Sequence, residues 1–261
     1  SGIGASASLR EGIRRKRQMC IRDGGIRAAE ARGELGVLRA TLVQASTESD
    51  GLAGRLSLLE SEIERLDAAG GPTIAFLPSG MEGLKVRITA KAPSDAEVDD
   101  LLAEEEARVR AIVGPIVFGV DDQTMESVVL DLLVEQGLRM ATAESLTGGM
   151  IGSRLTDVPG SSRAFVGSVV AYDGDVKRSL LGVPDGSVVC EAAVTAMAAN
   201  VCGVLGADVS VAVTGVAGPD PQDGEEPGTV RMATCVDGVV DAVRTRWPFD
   251  RTRIRQFTVI T

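Results

Sequence analysis

The chain has 261 residues, a formal net charge of −10, 44% hydrophobic residues and 25% charged residues. This composition is typical of a globular protein with its own hydrophobic core, and the negative charge disfavours nucleic acid as a partner, since nucleic-acid-binding surfaces are usually basic. The chain contains no histidine, which excludes a Ser-His-Asp triad or a Cys-His pair and leaves proton transfer to lysine, tyrosine, carboxylates or water.

Cysteine usage and hydropathy narrow the class of protein further. Four cysteines lie far apart in the sequence and form no CxxC pair. We therefore expect reduced thiols, a cytoplasmic location and no metal site. No apolar run reaches 18 residues, so no membrane span is predicted.

Residues 1–35 show no periodic pattern and are predicted to be an unstructured or artefactual N-terminal segment. They contain "RRKRQMCIRDGG", in which "KRQMCIRD" resembles a translated sequencing-adapter read fused to the gene. A basic, solvated tail is the alternative interpretation. Both interpretations stay open on the sequence alone.

Residues 36–119 are predicted to form a small α+β module. A short strand over "GVLRATLVQ" leads into a helix at about 52–67, whose apolar residues recur at steps of four and three: Leu52, Leu56, Leu59, Ile63 and Leu66. Two strand-like runs, "GGPTIAFLPSG" and "GLKVRITAKAP", are bounded by glycine and proline. An acidic helix and the strand "PIVFGV" complete the module.

Residues 120–261 alternate helical and strand patterns, with long runs of valine, alanine and isoleucine in the strands. This pattern predicts an α/β three-layer sandwich, with a central mostly parallel sheet and helices on both faces. "TVRMATCVDG" and "VVDAVRTRWPF" are predicted to form a hairpin, and "RTRIRQFTVIT" to begin a final helix.

Three predicted strands end on "AES", "VAY" and "VTG". The carboxyl ends of parallel strands meet at one edge of a sheet, so Ser145, Tyr172 and Thr214 are expected on one rim. Tyr172 is the only tyrosine of the chain, and Lys177 is the only lysine beyond residue 120. Lysine can lose its proton where arginine cannot, and burial lowers its pKa, so a Ser–Lys pair assisted by tyrosine would replace histidine. If the two stood alone, chance survival in an arginine-rich chain would explain them equally well.

An anion site is predicted beside these residues. Thr147, Gly148 and Gly149 open a helix whose free amides would bind a phosphate. Arg251 would supply positive charge, although a solvated helix face explains an arginine there equally well. The acidic loop 220–226 is expected to be a solvated lid or turn.

The stretches "AESLTGG", "LTDVPGSSRAFVGSVVAYDGDVKRSLLGV", "MAANVCGVLGADVSVAVTGVAGP" and "PGTV" resemble the C-terminal domain of CinA. This is the nicotinamide mononucleotide deamidase family, also called PncC, and the resemblance covers about residues 120–261. Residues 36–119 resemble the KH-like module that precedes this domain in two-domain CinA proteins. The molybdopterin-binding-like domain of those proteins, which carries a pyrophosphatase activity, is not among these residues.

The resemblance implies hydrolysis of nicotinamide mononucleotide to nicotinic acid mononucleotide and ammonia, without metal or cofactor, by a homodimer or higher homo-oligomer. It implies Ser145 as the nucleophile, Lys177 as the base and Tyr172 as a partner in proton transfer. The substrate-binding residues that it implies are Glu144, Thr147, Gly148, Thr214, Gly215, Gly218 and Arg251.

Two other functions are weighed against this activity. A catalytically silent, competence-associated binding module would keep the same CinA-like fold. A nucleic-acid role of the KH-like module is disfavoured, because the module has no GxxG loop between helices and its helix is acidic.

Three residues depart from the family pattern. Leu146 stands where the family usually has cysteine, which excludes a thiol nucleophile there and leaves Ser145 untouched. Cys190 replaces a serine before glutamate, which is expected to alter a helix cap. Thr261 ends the chain inside the predicted last helix, which is expected to weaken folding.

Overall fold

The structure, a computed structural model, describes residues 13–21, 49–69, 71–78, 84–114 and 117–261. The chain divides into two compact units, Ser1–Gln123 and Thr124–Thr261. In the described parts of the chain, no helix has the length and apolar character that crossing a bilayer requires.

Among its described residues, the first unit has a four-stranded antiparallel sheet in the order β2-β3-β1-β4 and two helices. Its elements are β1 (Ile13–Ile21), α1 (Ser49–Ala69), β2 (Thr73–Pro78), β3 (Leu84–Ala92), α2 (Asp95–Val113) and β4 (Val117–Val120). Residues alternate between buried and partly exposed along most of β3, as expected for a strand with one face on the core. Val86 and Ile88 of β3 pack there with Val98 and Val109 of α2.

Strand β1 corrects the expectation that residues 1–35 lack regular structure. Ile13–Ile21 pairs with β3 along its whole length and with β4 at its end, and Met19 is fully buried. The sequence did not reveal this strand, because main-chain pairing to two neighbours stabilises it while four of its nine residues form an unbroken basic run. Residues 1–12 and 22–35, and the strand predicted over "GVLRATLVQ", lie outside the described residues.

The second unit consists of a five-stranded sheet and its helices. Its elements are α3 (Met125–Gln136), β5 (Met140–Glu144), α4 (Met150–Thr156), a 3₁₀ turn (Ser161–Arg163), β6 (Phe165–Val170), α5 (Gly174–Leu181), α6 (Glu191–Leu205), β7 (Val209–Gly215), β8 (Thr229–Val236), β9 (Val239–Arg246) and α7 (Arg251–Ile260). Thr124 caps α3, and Gly137 ends it in the left-handed conformation.

The sheet has the strand order β6-β5-β7-β8-β9. Strand β5 pairs in parallel with both β6 and β7. Strand β8 is antiparallel to β7, and β9 is antiparallel to β8, as the predicted hairpin requires. Side chains of β7 alternate between two layers: Ala212 packs among residues of α6, whereas Val211 and Val213 pack with residues of α3, α4 and α7. The prediction of an α/β domain with helices on both faces of the sheet is confirmed.

Cys190 serves as the N-cap of α6 in place of the serine expected from the family pattern. Its Sγ accepts a hydrogen bond from the Ala193 amide at 3.4 Å and donates one to the Ser187 carbonyl at 3.2 Å. The thiol therefore fills the capping position, although sulfur is a weaker acceptor than a hydroxyl oxygen.

Candidate active site

A cavity of about 290 Å³ opens at the carboxyl ends of β5 and β7. Strands β6 and β7 lie on opposite sides of β5, and crevices form outside the strand ends at such a change of direction. The residues that line the cavity are Ser145, Leu146, Tyr172, Lys177, Val189, Thr214–Gln222 and Arg251. The structure thus brings together the four residues predicted for proton transfer and for the rim: Ser145, Tyr172, Lys177 and Thr214.

Ser145 directly follows β5 and is held by two backbone hydrogen bonds. Its amide donates to the Val213 carbonyl of β7 at 3.1 Å, and its carbonyl accepts from the Gly148 amide at 3.0 Å. Only 6% of Ser145 is exposed. The N-cap of α4 is Gly149, so Ser145 does not cap this helix.

Glu144 occupies the anion site that was predicted for a phosphate. Its carboxylate accepts hydrogen bonds from the amides of Gly149, Ile151 and Gly152 at 2.9, 3.1 and 2.8 Å. A fully buried negative charge of the protein therefore compensates the positive end of α4. The amides of Gly149, Ile151 and Gly152 are therefore already bound within the chain, and Glu144 does not line the cavity. A phosphate contact of Thr147 or Gly148 stays a prediction.

Thr147 and Gly148 shape the turn behind Ser145. The Thr147 side chain is fully buried, and its hydroxyl has no hydrogen-bond partner among the described residues. Gly148 has a φ of 63°, in the left-handed region that glycine adopts readily. Its amide is bound to the Ser145 carbonyl, so it is not available to an oxyanion. Neither residue lines the cavity.

Arg255 is a residue of the site that the sequence did not reveal. Its Nε donates to the Leu146 carbonyl at 2.8 Å, and its Nη2 donates to the Thr147 carbonyl at 2.9 Å. In a trans peptide the amide points away from the carbonyl of the same unit, so the bond to the Leu146 carbonyl directs the Thr147 amide away from Arg255. Spacing offered one signal, because Arg255 lies one helical turn beyond Arg251 in α7.

Lys177 reaches the cavity from α5 and is only 3% exposed. Burial lowers the pKa of its ammonium group, the negative charges of Asp173 and Asp223 raise it, and Arg178 lowers it. Among the described residues, no carboxylate forms a salt bridge with Lys177. A buried lysine without a salt bridge, in the same cavity as a serine, differs from the solvated lysine that chance survival would leave, because its amine can become neutral.

Arg251 links two sides of the cavity mouth. Its Nη2 donates to the Tyr172 hydroxyl at 2.6 Å, and its Nη1 donates to the Gly218 carbonyl at 2.8 Å. Tyr172 is 58% exposed, and both side chains line the cavity. The arginine lies on an exposed helix face, as the alternative interpretation held, but its guanidinium is fixed by both contacts.

The remaining predicted binding residues, Thr214, Gly215 and Gly218, form part of the cavity wall. The Thr214 hydroxyl donates to the Val188 carbonyl at 2.8 Å. A Cβ on Gly215 would lie 2.6 Å from the carbonyl oxygen of Thr229, so only glycine permits this approach to β8. Gly218 has a φ of 81°. Their contact with a substrate stays a prediction.

The acidic loop 220–226 is anchored rather than freely solvated. Asp223 Oδ2 accepts hydrogen bonds from the Val188 amide at 2.7 Å and the Ser187 hydroxyl at 3.2 Å. Glu225 forms salt bridges with two arginines of β8 and β9. The sequence suggested a solvated lid or turn because the partners Ser187, Val188 and Arg244 lie 19 to 36 positions away along the chain.

Comparison with known proteins identifies the two units separately. Residues 122–261 match the family described as the CinA C-terminal domain. Residues 57–119 match the family described as the damage-inducible protein CinA KH domain.

Relatives of known name share both regions. A CinA-like protein of Frankia casuarinae is 46% identical over 209 residues, which are 78% of this chain and 48% of that protein. A putative competence-damage inducible protein of Halalkalibacterium halodurans is 39% identical over 211 residues, which are 78% of this chain and 50% of that protein. The chain therefore spans about half the length of these relatives.

Solved structures resemble the chain over about half its length. The competence or damage-inducible protein of Enterobacter asburiae has 28% identity and a TM-score of 0.51, covering 53% of this chain and 93% of its own. A CinA superfamily protein of Enterobacter cloacae has 30% identity and a TM-score of 0.50, covering 53% of this chain and 88% of its own.

Proposed function

The chain belongs to the CinA C-terminal domain family, and from that premise we propose that it hydrolyses nicotinamide mononucleotide to nicotinic acid mononucleotide and ammonia. The observation that carries the proposal is the convergence of Ser145, Lys177, Tyr172 and Arg251 on one cavity. In a chain without histidine, Lys177 is the buried amine of that cavity, and its lowered pKa suits a general base.

The proposed reaction proceeds through an acyl-enzyme. Ser145 Oγ attacks the carboxamide carbon while the neutral amine of Lys177 takes the hydroxyl proton. The carbon–nitrogen bond then breaks, and the proton passes from Lys177 to the leaving ammonia. Water attacks the resulting ester and gives its proton to Lys177, which returns it to Ser145 Oγ as the carboxylic acid product leaves. One water is consumed for each ammonia released.

The α4 amides do not serve the substrate phosphate in this proposal. Glu144 already binds them, so the charge for the phosphate comes from Arg251 at the cavity mouth. Arginine has five N–H donors, and two of those on the Arg251 guanidinium donate to the Tyr172 hydroxyl and the Gly218 carbonyl. The others are available to a phosphate, which guanidinium groups bind strongly.

The proposed role of Tyr172 follows from its contact with Arg251. Tyr172 accepts a hydrogen bond from Arg251. Its own hydroxyl proton is not used in that bond, and we propose that it takes part in proton transfer at the mouth of the cavity. Neither Thr147 nor Gly148 lines the cavity, and the Gly148 amide is bound to the Ser145 carbonyl, so no oxyanion role is proposed for this turn.

Ammonia release from nicotinamide mononucleotide tests the proposal directly. The purified chain is expected to release ammonia and nicotinic acid mononucleotide in equal amounts, whereas Ser145→Ala releases neither and still binds the mononucleotide in calorimetry. Ser153→Ala, on an exposed position of α4, is the matched control and is expected to retain turnover.

Two outcomes contradict the proposal in different ways. Binding without turnover by the wild-type chain would favour the catalytically silent, competence-associated module. Turnover that survives in folded Ser145→Ala would remove Ser145 as the nucleophile.

A further inference from the structure

Asp223 connects the loop that follows β7 to the segment before α6 through the two peptide units that flank Val188. Its Oδ2 accepts from the Val188 amide at 2.7 Å, and the Val188 carbonyl accepts from the Thr214 hydroxyl at 2.8 Å. Ser187 strengthens the connection, since its hydroxyl donates to the same Asp223 oxygen and accepts from the Val189 amide. Thr214 and Val189 both line the cavity.

The turn that carries Asp223 does not by itself require a carboxylate. Asp223 and Gly224 have φ values of 55° and 79°, and Gln222 and Glu225 exchange backbone hydrogen bonds on either side of them. Asn-Gly suits such a two-residue turn as well as Asp-Gly does. The turn therefore does not account for a charged side chain at position 223, and the groups around the Asp223 carboxylate have to be considered.

The charged groups around Lys177 oppose one another. Asp173, the N-cap of α5, and Asp223 raise the pKa of the Lys177 amine, while burial and Arg178 lower it. Tyr172, Asp220 and Arg251 are the other titratable or charged groups that line the same cavity. Asp223 does not itself line the cavity, but it directly follows the lining loop residue Gln222 and accepts hydrogen bonds from the segment before α6.

We propose that Asp223 is a positioning residue of the cavity, which fixes the loop wall to the segment before α6 and presents its negative charge to the Lys177 ammonium. Its effect on turnover rests on the proposed function, whereas its effect on Lys177 does not. Removing the Asp223 charge stabilises the neutral amine, so Lys177 is expected to lose its proton at lower pH. The acidic limb of the activity profile is expected to move in the same direction.

Asp223→Asn separates the charge of this residue from its hydrogen bonds. The amide oxygen of asparagine can still accept from the Val188 amide, and asparagine tolerates the left-handed conformation. Asp237→Asn is the matched control. Asp237 is also exposed and has a φ of 51°, but it follows the far end of the eight-residue strand β8, roughly 25 Å away at the usual rise per residue.

Titration of lysine labelled with ¹³C at Cε measures the Lys177 amine without reference to turnover. The chain has four lysines, so four signals are expected, and Lys177→Arg assigns the relevant one. We expect the Lys177 midpoint at lower pH in Asp223→Asn and unchanged in Asp237→Asn. Asp223→Gly, which keeps the turn but removes charge and hydrogen bonds, is expected to lower the midpoint too.

The two proposals fail separately. If Asp223→Asn and Asp223→Gly both leave the Lys177 midpoint at the wild-type value, Asp223 does not act on Lys177 and the inference is overturned. If the wild-type chain releases no ammonia, the proposed function fails while the titration still decides the inference. For an active enzyme, Asp223→Gly is expected to raise KM more than Asp223→Asn, and equal KM values would contradict the connection between the walls.

Discussion

The Arg251 guanidinium donates a hydrogen bond of 2.6 Å to the Tyr172 hydroxyl, although the two residues lie 79 positions apart. The same guanidinium binds the Gly218 carbonyl. One side chain of α7 thus orients the only tyrosine of the chain and joins it to the loop after β7.

Arg251→Lys is expected to raise KM for nicotinamide mononucleotide about tenfold or more, with a smaller effect on kcat. An ammonium group cannot reach Tyr172 and Gly218 in a fixed fork and also bind a phosphate, and hydrogen bonds to charged groups contribute about 1.5–3 kcal/mol. Steady-state kinetics with Arg253→Lys as the control check this, since Arg253 contacts only Asp250 of the loop before α7 among its described ion pairs. An unchanged KM would place the phosphate elsewhere.

Lys177→Arg is expected to lower kcat about a hundredfold or more, the usual scale for loss of a general base. Arginine keeps the positive charge but cannot supply a neutral amine at accessible pH. The measurement is ammonia release under saturating substrate. Turnover close to wild type would mean that Lys177 acts only through its charge.

Lys177 is expected to make stability depend on pH. Its pKa is lowered in the folded chain, so between the folded and unfolded pKa values the unfolded chain binds more protons, and the free energy of unfolding rises with pH. Lys177→Met removes this dependence. Thermal unfolding from neutral to alkaline pH should show the variant more stable at neutral pH and the difference shrinking as pH rises. Parallel curves for the two proteins would contradict the burial of a titrating amine.

Gly215→Ala is expected to destabilise the second unit by about 1–3 kcal/mol, the usual cost of overpacking. The new methyl group would lie 2.6 Å from the Thr229 oxygen and 2.9 Å from Val230 Cα. Gly203→Ala is the matched control, because Gly203 lies within α6 with no neighbouring atom within 4 Å of the added Cβ. Alanine there should stabilise by about 0.5–1 kcal/mol. Equal unfolding midpoints for the two variants would refute this prediction.

The sequence alone determined where the strands end and which residues stand there. Hydrophobic runs and glycine boundaries are local properties, so they placed Ser145 after β5, Tyr172 after β6 and Thr214 in β7. Lys177 was a candidate because it is the only lysine beyond residue 120. Parallel pairing of β5 with β6 and β7 brings the ends of these three strands to one edge of the sheet.

Only the tertiary structure decided which groups satisfy one another. Arg255 binds carbonyls 108 and 109 positions earlier in the chain, and Asp223 binds an amide 35 positions earlier. Local sequence patterns do not predict such partners, because the helix or strand propensity of a polar residue is the same whether its side chain is hydrated or binds a distant amide. The same holds for Glu144, which accepts hydrogen bonds from amides at the start of α4, and for β1, which pairs with β3 in the sheet of the first unit. Buried backbone groups require hydrogen-bond partners, and only the tertiary structure determines which groups these are.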